Sequence, residues 1–75
     1  MFPVCVVQSF TASRWGVVPD VPIQVGDVEQ AERLAERLAH KKPAVLAVYK
    51  WNNKAEVITA IGDVPDSFLD AIACG

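Results

Sequence analysis

The sequence predicts an α+β domain: a four-stranded antiparallel sheet, one main helix on one face and a short C-terminal helix, in the order ββαββα. Three observations carry this. Residues 4–10, 44–51 and 55–61 are rich in β-branched and aromatic side chains. Residues 27–41 repeat apolar side chains at helical spacing. Asn52-Asn53 separates two strand-like runs as a two-residue turn whose residues tolerate positive φ.

Val4 to Phe10 opens the chain as a strand, and its unbroken apolar start predicts burial on both faces and a central place in the sheet. Thr11 to Arg14 reads as a polar turn and Trp15 to Val18 as a short second strand. Pro19 and Pro22 cannot donate to a ladder, so Asp20-Val21 is expected at an edge or in an irregular connection. Ile23 to Val25 leads into the helix. Asp27 is a good N-cap, and Gln30 three residues later completes a capping box. Val28, Ala31, Leu34, Ala35, Leu38 and Ala39 form one stripe, and the alanines permit close approach to a sheet. Acids early and His40, Lys41 and Lys42 late suit the helix dipole, Glu29 with Arg33 and Glu36 with His40 are i,i+4 pairs, and Pro43 ends the helix.

The Asn-Asn turn fixes a register: Trp51 opposite Lys54, Tyr49 opposite Glu56, Val48 opposite Val57 and Leu46 opposite Thr59. Alternation then gives one aliphatic face, Ala44, Leu46, Val48, Ala55, Val57 and Ile61, expected under the helix. The other face, with Tyr49, Trp51, Lys54, Glu56 and Ile58, is expected to stay open. Gly62 to Pro65 breaks the pattern. Ser67 with Asp70 is a second capping-box candidate, and Phe68, Leu69 and Ile72 make a short terminal helix.

Seventy-five residues leave room for a single domain, 1–75. At 52% hydrophobic the chain is too apolar for a disordered polypeptide. Seven Lys and Arg against nine Asp and Glu give a net charge of -2, which argues against direct binding of DNA or RNA. Nothing resembles a signal peptide, and no run of about 20 apolar residues is present to span a membrane. The expected setting is cytoplasmic, with Cys5 and Cys74 reduced, although a bridge between them is open if the termini meet.

Tyr49 and Trp51 flanked by charges have the composition of a binding hot spot. Aromatics on a sheet can also stack bases, but the basic and glycine residues of the RNA-recognition fold are missing around these. Glu29, Glu32 and Glu36 share a helical stripe, and Asp63, Asp66 and Asp70 repeat that spacing. Such rows can occupy a basic groove in place of phosphates; the plainer reading is a solvated face and acids near helix N-termini. His40 is the only histidine, and there is no C-x-x-C, Gly-rich phosphate loop, nucleophile elbow or metal spacing. No catalytic residue, cofactor or metal is expected.

Val-Val-Gln-Ser-Phe at Val6 to Phe10, Ala-Glu-Arg-Leu-Ala at Ala31 to Ala35, Glu-Arg-Leu-Ala at Glu36 to Ala39 and Gly-Asp-Val-Pro at Gly62 to Pro65 resemble a group of short alphaproteobacterial and phage-associated proteins. The resemblance spans most of the chain, but its motifs are structural and imply no residue role. In size and layout the chain is also similar in kind to small phage-borne inhibitors of host defence, anti-CRISPR proteins among them. That likeness implies a compact, non-enzymatic protein that binds a host nucleic-acid-handling complex and blocks its access to DNA. Glu29, Glu32, Glu36, Tyr49, Trp51, Asp63, Asp66 and Asp70 are then the expected contact residues. The alternative is a bacterial domain that works as a homo-oligomer through the open sheet face.

Overall fold

The computed structural model describes residues 3–69. They form five strands, Val4–Ser13 (β1), Gly16–Pro19 (β2), Ile23–Val25 (β3), Ala44–Trp51 (β4) and Lys54–Gly62 (β5), with the helix Val28–Ala39 (α1) between β3 and β4. A second helix (α2) begins at 66–69. Ile72, Cys74 and the proposed cap partner Asp70 lie outside the described residues. The sheet is antiparallel throughout, in the order β2-β1-β4-β5, and β3 also pairs with β1.

The α+β class and the central place of β1 agree with the sequence reading, but the sheet has five strands rather than four. β1 continues through Ser13, so residues 11–13 are strand rather than turn. The hairpin turn is Arg14-Trp15, and Ser13 pairs with Gly16. Ile23–Val25 does more than lead into α1: it pairs with Val7, Val6 and Cys5. β2 and β3 lie in line on one side of β1, split where Pro19 and Pro22 withhold their ladder donors.

β3 and β4 are both antiparallel to β1 and flank it, so they run parallel to each other and α1 is the crossover between them. Such crossovers keep one hand in nearly all folds, which dictates the sheet face the helix takes. α1 lies on the face of Cys5, Val7, Val45 and Ala47, which pack with Ala31 and Ala35; Tyr49, Ile58 and Ile61 border this cluster. This overturns the expected assignment, in which the helix covered Leu46 and Val48 and left the Tyr49 side free. The Leu46 face is covered instead by the C-terminal segment: Phe10, Ala44, Leu46 and Val48 pack with Val64, Phe68 and Leu69. Phe68 meets Phe10 edge-on, with ring centroids 5.0 Å apart at 86°. Every residue from Ala44 to Val48 is buried, so the centre of the sheet has no open face.

The Asn52-Asn53 turn forms as expected, with φ of 48° and 64°. The register holds for Trp51–Lys54, Tyr49–Glu56 and Val48–Val57 and then slips. A bulge between Ala47 and Val48 sets Ala47 opposite Thr59 and Leu46 opposite Ala60, so Leu46 does not face Thr59. The insertion moves Ile61 to the α1 face, where Ile58 already stands by alternation. Strict alternation could not reveal this. At the far end of β5, Gly62 has φ +79°, and a Cβ there would collide with the carbonyl of Pro43.

Asp27 caps α1 by accepting from the Gln30 amide at 2.8 Å. Gln30 reaches back to the N–H of Gly26 at 3.0 Å rather than to Asp27, a capping box displaced by one residue. The helix stops at Ala39, two residues before the expected end. The N–H groups of Lys41 and Lys42 both bond Leu38 O, at 2.9 and 2.8 Å, which closes the last turn ahead of Pro43.

Ala35 has no exposed surface and packs in the α1–sheet contact. Ala35→Leu is expected to destabilise the domain by about 1–3 kcal/mol through overpacking. Urea unfolding followed by circular dichroism checks this; an unchanged midpoint would mean that the helix can shift away from the sheet at no cost.

Candidate functional site

Beside α1 the sheet ends in β5, and between the two elements runs an open groove. Its wider part, about 530 Å³, is lined by Val28, Glu32, Tyr49, Glu56, Val57 and Ile58. A second part, about 270 Å³, continues along the helix past Glu36, Thr59 and Ile61, sharing Glu32 and Ile58 with the first. The floor is apolar, from Tyr49, Ile58 and Ile61, and the walls carry three carboxylates, Glu32 and Glu36 from α1 and Glu56 from β5. Among the described residues no Lys or Arg lines either part. Local sequence makes this arrangement. The i,i+4 rows of α1 align Val28, Glu32 and Glu36 on its β5 side, and the bulge brings Ile58 and Ile61 onto the same sheet face.

The residues singled out from sequence do not form one surface. Glu32 and Glu36 stand on the groove wall. Glu29 is turned away and holds Arg33 at 2.5 Å, with both side chains about seven-tenths exposed, so this pair contributes only about 0.3–0.5 kcal/mol. Tyr49 is half-buried in the groove floor. Trp51 lies two residues further along β4 on the same face and is 48% exposed. Asp63 and Asp66 are exposed, but they belong to the segment that covers the opposite face of the sheet. Asp70 lies outside the described residues. Glu56 and Ile58 were expected on the Tyr49 face but not beside the Glu row, because the helix was expected on the other face; Ile61 reaches the groove only through the bulge.

A second polar cluster sits at the break between β2 and β3. The Asp20 carboxylate accepts from Thr11 Oγ1 at 2.7 Å and Ser9 Oγ at 2.8 Å. Lys42 Nζ lies 3.3 Å from Asp20 Oδ2 and donates to Thr11 Oγ1 at 3.0 Å. Gln8 Nε2 donates to the Asp20 carbonyl at 2.5 Å, and the Asp20 N–H bonds Ser9 O at 2.9 Å. The Gln8 side chain thus satisfies backbone carbonyls beside the proline break, and the Ser9 and Thr11 hydroxyls hold the Asp20 carboxylate in place. All of these groups are used internally, so the cluster reads as structural. The Thr11 and Ser9 hydroxyls, aided by Lys42, hold the Asp20 carboxyl below the usual carboxylate range.

Cys5 is buried beneath α1. Burial pushes its thiol above the ordinary value, and the charge of Asp27 adds to the effect. The thiolate is therefore disfavoured, and Cys5 packs as a small hydrophobe. Among the described residues no group of three or more His, Cys, Asp or Glu is placed to hold a metal ion, and no helix is long and apolar enough to cross a membrane. No family model, curated protein or solved structure matches the chain.

A carboxylate whose folded pKa is depressed stabilises the fold above its unfolded value of about 4 and loses that contribution as pH falls through the folded value. Urea midpoints measured from pH 7 down to pH 2 should therefore fall more steeply below about pH 4 in the wild type than in Asp20→Asn. Parallel acid limbs in the two proteins would show that the cluster does not couple to folding.

Proposed function

We propose that this protein is a non-enzymatic binding module that engages a basic surface of another protein through the groove between α1 and β5. One observation carries the reading: an apolar floor between two walls that carry three carboxylates, with no Lys or Arg among the described residues that line it. Such a site favours a partner that presents cations and apolar stems together, because long Lys and Arg side chains bury their methylenes and keep their charge at the rim. Trp51, half exposed on the same face just beyond Tyr49, supplies an aromatic anchor at one end.

The sharpest form of this reading is an inhibitor of phage type, an anti-CRISPR protein, that sits on the basic channel of a host nucleic-acid-handling complex and excludes DNA. The support for it is the match between an acidic, compact ligand and a surface built for phosphates. The alternative is self-assembly through the part of the aromatic sheet face which α1 leaves uncovered, the exposed side of Trp51.

The double reversal Glu32→Lys/Glu36→Lys should weaken partner capture by about tenfold or more. Both positions are solvent-exposed, so Tm should stay near the wild-type value. Quantitative pull-down from host lysate, wild type against variant, measures the first and calorimetry the second; a partner set indifferent to the reversal removes the groove from consideration. Stoichiometric loss of DNA binding by a purified CRISPR effector tests the inhibitor form, and an effector unaffected by excess protein refutes it.

A further inference from the structure

Two strand edges are unpaired among the described residues, and they differ. The β2–β3 edge consists of strands of four and three residues, broken by Pro19 and Pro22. Short strands and prolines blunt an edge against further pairing. The outer edge of β5 runs for nine residues, Lys54 to Gly62, with no proline and only two charged side chains, Lys54 and Glu56. It borders the groove from Glu56 to Ile61. A long edge, interrupted only by the bulge at Ile58 and charged only near its start, beside a shaped groove, is an arrangement that can accept an added strand.

We infer that the partner enters as an extended segment that pairs with the outer edge of β5 and alternates basic with apolar side chains. This rests on the groove reading above and specifies the partner's shape and pattern. Side chains of an added strand alternate between two environments. Those on the α1 side meet Ile58 and Ile61 and then Glu32, Glu36 and Glu56, which suits a Lys or Arg whose stem covers the isoleucines. Those on the other side meet Val57, 42% exposed, and Ala60, which suits small apolar residues. Backbone hydrogen bonds would supply affinity and the alternating pattern specificity.

A second copy of the chain fits the same edge poorly. Antiparallel β5–β5 pairing about a two-fold axis would place both α1 helices on one sheet face, flanking the junction. Each copy's Glu32 and Glu36 would then confront those of the other, and like charges so placed repel.

The test uses a synthetic peptide of about eight residues alternating Lys and Val, and the same peptide N-methylated at every second residue, which blocks strand pairing while keeping charge and shape. Binding is followed by NMR titration and by amide hydrogen exchange across residues 54–62. The unmethylated peptide should bind and protect β5 amides. N-methylation should weaken it by at least about tenfold, since two or more backbone hydrogen bonds are lost. Glu32→Lys/Glu36→Lys should weaken it as well. Equal binding by the two peptides overturns strand pairing and leaves the groove as a site of charge recognition. Failure of both peptides to bind, while a host protein is still captured in a Glu32- and Glu36-dependent way, overturns strand addition alone. β5 protection that ignores the charge reversal overturns the groove reading and the basic pattern together. A concentration-dependent dimer of the protein alone, with β5 amides already protected, assigns the edge to a second copy and overturns the proposal.

Discussion

The close approach of α1 to the sheet is the contact on which the other features rest. Ala31 and Ala35 have no exposed surface and lie against Cys5, Val7, Val45 and Ala47, all small or β-branched. Bulkier side chains on either side would lift the helix, because a close-packed interior has no room for added methylenes. α1 is also the link that carries the chain from β3 across β1 to β4. The same contact therefore sets the handed connection, buries one face of the sheet and leaves the other to the C-terminal segment.

Two covered faces change what the molecule can offer. Phe10, Leu46 and Val48 are enclosed with Phe68, and Tyr49 is half enclosed beside α1. On the α1 side the margin of the sheet keeps accessible surface: the groove, the edge of β5 and the exposed part of Trp51. Charge is concentrated there on one side, with Glu32, Glu36 and Glu56 along a single channel. Asp63 and Asp66 act on a different side of the molecule. A chain whose net charge is only -2 can still present a strongly acidic strip in this way.

The two unpaired edges are handled by different means. At β2–β3 the prolines break the strand, and Gln8 bonds the Asp20 carbonyl while Ser9, Thr11 and Lys42 fix the Asp20 carboxylate at the break. This cluster is hard to read from sequence because its members come from three separate segments, and none of their spacings resembles a motif. The Glu row on α1 was visible, since it depends only on helical period. Its opposite wall was not: alternation put Glu56 and Ile58 on the Tyr49 face, but the helix was expected on the other face, and Ile61 joins them only through the bulge.

By itself, the sequence determined what depends on near neighbours in the chain: the amphipathic helix with its Asp27 cap, the positive-φ Asn52-Asn53 turn, the central first strand and the pairing closest to that turn. These are set by local propensity, side-chain period and turn chemistry. The tertiary structure alone decided which face α1 covers, that Ile23–Val25 becomes a fifth strand, where the register slips and which acids share a surface. Both faces of β4 are apolar, so its hydrophobic pattern carries no sign to choose between them. The choice falls to the geometry of a crossover that exists only once β3 and β4 have paired on either side of β1.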